Sequence, residues 1–98
     1  MEPDEEMYTP VTRICEEYNV EPDFILELYE FGLIDLTELD DQKYIRHQTI
    51  GELERMIHLR YELDINVAGI EAIGHLLNRV ESLQQEVISL RNQLQRWL

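Results

Sequence analysis

The strongest constraint in this sequence is an unbroken apolar heptad pattern near its C-terminal end. Large apolar residues alternate at spacings of three and four over eight positions: Ile73, Leu76, Val80, Leu83, Val87, Leu90, Leu94 and Trp97. Such spacing predicts an α-helix with one narrow apolar seam, which needs a second helix to cover it. A helix over residues 66–97 would be about 48 Å long, at about 1.5 Å per residue, longer than so small a domain can cover. The pattern therefore predicts a homodimer.

Three segments are predicted along the chain. Residues 1–7 form a flexible acidic lead-in, residues 8–78 a folded domain, and residues 79–98 a coiled-coil dimerisation helix that is continuous from about residue 66. We assign dimerisation to the distal seam, which consists of Val80, Leu83, Val87, Leu90, Leu94 and Trp97. The sequence leaves open whether the two helices run parallel or antiparallel.

The net negative charge of the chain lies in residues 1–41. Residues 1–41 contain fourteen Asp and Glu against one base, Arg13, for a net charge of −13, whereas residues 42–98 contain seven acids and seven bases. Such a surface repels the phosphates of nucleic acid and attracts a basic protein surface. The alternative is that these acids only keep a small domain soluble.

Composition argues against several classes of protein. The 98 residues suffice for one small domain with an extension, and the single cysteine, Cys15, permits no internal disulfide. No apolar run approaches about 18 residues, so we expect a soluble, cytoplasmic protein without a membrane span. No glycine-rich phosphate loop or metal-ligand spacing occurs. We therefore expect no enzyme, no cofactor and no metal.

The folded domain is predicted to begin with two short helices. Thr9 is placed as the N-cap of the first helix, with Pro10 at its first helical position, and this helix runs to about Tyr18. Pro22 begins the second helix and Gly32 ends it, since proline is favoured at a helix start and glycine just past its end. The short connection indicates a helix-turn-helix.

A small wing and two further helices are predicted to follow. Residues 34–37 and 43–46 form a two-stranded wing around Asp40 and Asp41. Thr49 and Glu52 form a capping box that begins the third helix, whose apolar residues include Leu63. Asn66 caps the long helix. The predicted fold is mainly α: a winged helix-turn-helix domain with a two-stranded wing and a long C-terminal coiled-coil helix.

This order of elements resembles the MerR family of winged helix-turn-helix proteins. The resemblance covers residues 8–80 and is carried by VEPD at 20–23, YEFGLI at 29–34, HLRYEL at 58–63 and INVAGIE at 65–71. The last two motifs are similar to two branches of the superfamily. One comprises the CbpM chaperone modulators, which bind the J-domain of a DnaJ-like co-chaperone. The other comprises the HspR heat-shock repressors, which bind operator DNA.

The second helix favours the chaperone modulators. DNA-binding relatives carry an arginine at the position of Leu26, and no Lys or Arg occurs in residues 20–35. We therefore expect no direct binding of nucleic acid. Resemblance to the modulators implies binding of a J-domain and inhibition of the co-chaperone's action with Hsp70. The predicted partner-binding residues are Asp23, Leu26, Glu27, Glu30 and Asp35.

Two alternatives stay open. One is a MerR- or HspR-like transcriptional regulator that binds DNA. The other is a structural coiled-coil dimerisation module without a specific partner, whose acids are merely a solvated helix face. Binding to a J-domain distinguishes the chaperone modulator from this dimerisation module, and binding to DNA at a specific sequence would indicate the regulator.

Overall fold

A computed structural model describes residues 7–98 of the chain. Six of the seven residues in the predicted lead-in lie outside the described part. The elements are, in chain order, β1 (Tyr8–Pro10), α1 (Val11–Tyr18), α2 (Pro22–Glu30), β2 (Thr37–Leu39), β3 (Gln42–Arg46), α3 (Ile50–Tyr61) and α4 (Val67–Trp97). The chain is therefore mainly helical, with a small antiparallel sheet and a long C-terminal helix.

The helix-turn-helix is formed by α1 and α2 and the short turn between them. Asn19 adopts a left-handed conformation (φ 55°), and the backbone N–H groups of Asn19 and Val20 both donate to the carbonyl of Cys15. Asparagine tolerates this conformation better than most residues, so it can end a helix where glycine usually would. Pro22 lies at the first helical position of α2, as predicted.

The predicted two-stranded wing is wrong in one respect: the sheet has three strands, in the order β1-β3-β2. Thr9 does not cap α1 but lies in β1 opposite Ile45, where it is buried. Its hydroxyl Oγ1 is 2.7 Å from Nε2 of His47, and the His47 backbone N–H donates to the carbonyl of Met7. A three-residue strand is too short to show the alternation that identifies strands in a sequence.

Two aspartates form the turn of the hairpin between β2 and β3. Asp40 and Asp41 have φ angles of 52° and 64°, so both central residues of the turn are left-handed, as a two-residue type I′ turn requires. Thr37 pairs with Tyr44 and Leu39 with Gln42. The strand β2 begins at Thr37, three residues later than the start that the sequence predicts for the first strand of the wing, at residue 34.

The predicted capping box at the start of α3 is also wrong. A single 3₁₀ turn, His47–Thr49, precedes α3, so Thr49 already has helical dihedral angles and its hydroxyl donates to the carbonyl of Arg46 at 2.7 Å. A residue in this conformation cannot act as an extended N-cap. Leu63 lies beyond the end of α3 and is 55% exposed, so it does not belong to the apolar face of that helix.

The long helix α4 begins where the sequence predicts. Oδ1 of Asn66 accepts a hydrogen bond from the backbone N–H of Gly69 at 2.8 Å, which satisfies one of the free amides of the first turn. Only Val67 and Ile70 of α4 are fully buried, and every residue from His75 onward is exposed. The helix therefore extends beyond the folded part of the described chain that precedes His75, which we call the head, and the molecule is 60 Å long.

One core holds the head together. Side chains from both helices of the helix-turn-helix, the sheet, α3 and the start of α4 meet there: Ile14, Val20, Phe24, Ile25, Leu28, Ile34, Ile45, Leu53, Met56, Val67 and Ile70. Because α2 contributes three of these residues, its orientation is fixed by packing, and its outer side is presented rigidly to solvent.

Candidate partner-binding surface

The outer side of α2 carries three carboxylates, which we call the acidic face: Asp23, Glu27 and Glu30. All three side chains are exposed, because the helical repeat places them away from Phe24, Ile25 and Leu28 on the buried side. Among residues 7–98, none of the three has a basic side chain within ion-pair distance. The acidic face therefore presents three carboxylates to solvent without a base of the described chain beside them.

Beside the acidic face lies an apolar groove, which we call the head groove. Its volume is about 270 Å³, and it is lined by the β1–α1 junction, one side of α2 and the β2–β3 turn: Pro10, Val11, Thr12, Pro22, Leu26, Asp41, Gln42 and Lys43. Leu26 is partly buried, and Pro22, four residues earlier, shares its side of α2. Leu26 thus joins the acidic face to the apolar groove.

The structure brings four of the five predicted partner-binding residues together on α2. Asp35 differs from the other four: it is exposed in the segment between α2 and β2 and does not line the head groove. The groove itself could not be predicted from the sequence, because its walls come from three segments that are far apart in the chain.

The basic residues of the wing do not form a positive surface. Lys43 is the cross-strand partner of Glu38, and such opposite charges on neighbouring strands attract each other. Arg46 pairs instead with Tyr8 of β1. A surface that binds DNA needs Lys and Arg aimed at phosphates, and neither α2 nor the wing supplies a cluster of them.

A tyrosine near the end of α3 holds the start of α2. The backbone N–H of Glu21, the N-cap residue, donates to the hydroxyl of Tyr61 at 3.0 Å, and the Tyr61 ring meets Phe24 edge-on with 5.5 Å between ring centroids. Glu21 makes no side-chain capping bond to the first turn; Tyr61 instead accepts the amide of the N-cap residue itself, one of the donors that the start of a helix leaves free. Sequence reasoning did not assign this function to Tyr61.

Two exposed side-chain contacts lie at the same end of α3. His58 pairs with Glu62, and Arg60 pairs with Asp64 at 3.1 Å, both at a spacing of four residues. Arg60 and Glu62 pair with these residues and not with each other, since residues two apart on a helix do not face each other. Within the HLRYEL motif, Tyr61 links α3 to the start of α2, whereas the two side-chain pairs are local to the end of α3.

The distal seam lies on the part of α4 that leaves the head. Its six side chains are all exposed, from 46% for Val87 to 87% for Trp97. Ile88 and Leu98 are exposed as well. No segment of the described chain covers this apolar surface, which is far more than a soluble helix needs to expose.

The groups with displaced pKa values lie elsewhere and offer no reactive centre. Burial, followed by the charge of Glu16, raises the pKa of the Cys15 thiol, which disfavours the nucleophilic thiolate. Burial, followed by interaction with Glu54, raises the pKa of Tyr18. Within residues 7–98, no three His, Cys, Asp or Glu side chains are grouped to hold a metal ion, and no helix could span a membrane.

Comparison with known proteins agrees with this description. The family described as MerR helix-turn-helix regulatory protein matches residues 9–92. The chain is 25% identical over 85 residues to the chaperone modulatory protein CbpM of Pseudomonas entomophila (strain L48), across 86% of this chain and 84% of that protein. No solved structure matches significantly. Neither name denotes a catalytic activity. The chain therefore belongs to the MerR family of helix-turn-helix regulatory proteins, as a CbpM-like member.

Proposed function

We propose that this chaperone modulator binds the J-domain of a DnaJ-like, CbpA-type co-chaperone and inhibits the action of that co-chaperone with Hsp70. The observation that carries the proposal is the acidic face on α2, where Asp23, Glu27 and Glu30 are exposed without a basic partner in the described chain. In a DNA-binding relative this helix would contact phosphates, and here its charge has the opposite sign.

Inhibition follows from occupying a basic surface. A J-domain uses a basic helix to engage Hsp70, as the resemblance to CbpM chaperone modulators implies, and the acidic face is complementary to such a helix. The attraction between the two surfaces speeds their encounter, while the apolar contacts beside the charges supply most of the affinity. A bound modulator then blocks the productive contact with Hsp70.

We also propose that the distal seam joins two chains into a homodimer that carries two acidic faces. The exposed seam supports this, because helix pairing along a heptad pattern buries apolar surface that a monomer leaves in water. Light scattering should show a dimer at tens of micromolar. Leu83→Glu should yield monomers, whereas Gln85→Glu, which adds the same charge outside the seam, should not. A monomeric wild-type protein would contradict the dimer.

The decisive experiment is a titration of the J-domain into this protein at two salt concentrations. Binding should weaken as salt rises, because the Debye length falls to about 10 Å at 0.1 M and the charges are screened. Glu27→Lys and Glu30→Lys should each weaken binding about tenfold or more, since reversal turns an attraction into a repulsion. Glu81→Lys is the matched control, because Glu81 is equally exposed but lies on α4 beyond the head.

Inhibition is measured separately, by the stimulation of Hsp70 ATPase activity by the co-chaperone. Wild-type protein should reduce this stimulation, and Glu27→Lys should reduce it much less. Failure of the wild-type protein to bind the J-domain would refute the proposed function and leave the structural dimerisation module as the better description. Tight binding to one DNA sequence would instead support the transcriptional regulator.

A further inference from the structure

We propose that the head groove receives one large apolar side chain from the basic helix of the partner, and that this side chain is the main anchor of the complex. The inference rests on the proposed function and adds the chemistry by which the partner is recognised. The partner helix should carry an aliphatic or aromatic residue with Lys or Arg about one helical turn away on the same face, because residues three or four apart are neighbours on a helix.

The lining of the groove determines this choice of occupant. Pro10, Val11, Pro22 and Leu26 give it apolar walls, so the groove favours an apolar group over a polar one. Its volume of about 270 Å³ lies below the range of about 300–1,000 Å³ that is common for small-molecule pockets. The groove is also open along its length, at the junction of three surface segments. It therefore suits one protruding side chain better than an enclosed cofactor.

Acidic residues on two sides of the groove favour a partner segment in which the inserted apolar residue is flanked by Lys or Arg. Asp23 and Glu27 lie beside Leu26 on α2, and Asp41 lines the groove from another segment, at the turn between β2 and β3. Lys43 is the basic residue of the lining, and its charge is opposed by its cross-strand partner Glu38. A partner helix that inserts an apolar residue here brings its flanking bases within reach of carboxylates on both sides.

Rigidity of the walls supports a role as an anchor site. The proline rings of Pro10 and Pro22 fix the backbone at two edges, and Tyr61 holds the amide of Glu21 immediately before Pro22. Val11 and Leu26 lie on helices whose inner sides are packed into the core. Little ordering is needed when a partner side chain enters, and preformed apolar pockets of this kind hold the residues that dominate binding energy.

The test separates the groove from the acidic face by their different responses to salt. Leu26→Ala should weaken J-domain binding about tenfold or more, with an unchanged slope of affinity against salt, because it removes apolar contact and no charge. Glu27→Lys should weaken binding and flatten that slope. Leu63→Ala, a truncation of an exposed leucine outside the groove, should leave binding unchanged.

A second variant blocks the groove without removing any of its walls. Thr12 lines the groove and is exposed, so Thr12→Phe should fill it and weaken binding to a similar extent, with far-ultraviolet circular dichroism unchanged. If Leu26→Ala and Thr12→Phe bind like Leu63→Ala while Glu27→Lys is weakened, the groove is not the anchor and the proposed function stands. If the wild-type protein does not bind the J-domain, both proposals are wrong.

Discussion

Two glycines in the same helix should respond to alanine with opposite signs. A Cβ at Gly69 would lie 2.7 Å from Cγ2 of Ile65 and 3.2 Å from Oδ1 of Asn66, whereas a Cβ at Gly74 would meet no atom within 4 Å. Both residues lie in α4, so alanine is intrinsically favoured at both, although less at Gly69 in the first turn than at Gly74 in the interior. A loss of stability at Gly69 would therefore report the close contact at the start of the helix.

The expected magnitudes follow from these contacts. Replacing glycine by alanine inside a helix gains about 0.8–1.0 kcal/mol, and Gly74→Ala should realise most of that gain. At Gly69 the new methyl overlaps a methyl attached directly to the Cβ of Ile65, which can move only if that half-buried side chain rotates. Overpacking costs about 1–3 kcal/mol, and displacing the Asn66 cap costs about 1 kcal/mol more. Gly69→Ala should therefore lose about 1–3 kcal/mol net.

Thermal unfolding followed by circular dichroism measures both effects. For a chain of this size, about 1 kcal/mol shifts the midpoint by about 4–8 °C, so the two variants should lie on opposite sides of the wild type. All three proteins are compared at one concentration, because the stability of the proposed homodimer would depend on it. A Gly69→Ala variant as stable as Gly74→Ala would refute the close contact and the cap geometry on which the estimate depends.

Three further predictions concern the head. Tyr61→Phe removes the acceptor of the Glu21 amide, and because that bond is exposed the urea midpoint should fall by an amount equivalent to about 0.5–1 kcal/mol, with an unchanged m-value. Cys15 should react slowly with iodoacetamide at pH 7, measured by mass spectrometry against free cysteine, because burial raises its pKa. The raised pKa of Tyr18 stabilises the fold fully below about pH 10, the ordinary tyrosine value, and this contribution is lost as pH rises through the folded pKa. Tyr18→Phe should therefore lose less stability than wild type between pH 8 and pH 11 in thermal unfolding, and an equal loss would contradict the shift.

Features that depend on neighbouring residues could be predicted from the sequence. The start of α2 at Pro22 and the Asn66 cap of α4 need only a few consecutive residues, and both are found as predicted. The acidic face is of the same kind, because the helical repeat alone places Glu27 and Glu30 on the outside of α2. Its role in binding stays a prediction.

Features that depend on distant residues could not be predicted. As a helix cap, the hydroxyl of Thr9 would bond to an amide in the first turn of α1. In the structure it bonds instead to His47, 38 positions later. The hydrogen bond from the Glu21 amide to the Tyr61 hydroxyl spans 40 positions, and neither residue type predicts it. The capping box at Thr49 failed for a related reason, since the 3₁₀ turn that precedes α3 had already fixed the conformation of that residue.

The central position of β3 gives the sheet an order of assembly. Its pairing with β2 closes through a two-residue turn, whereas its pairing with β1 joins segments nearly forty positions apart. The entropy lost in closing a loop grows with its length, so the hairpin should form first and β1 should dock afterwards. During synthesis, β1 is made before both strands of the hairpin. The first strand to leave the ribosome is therefore the last to be paired.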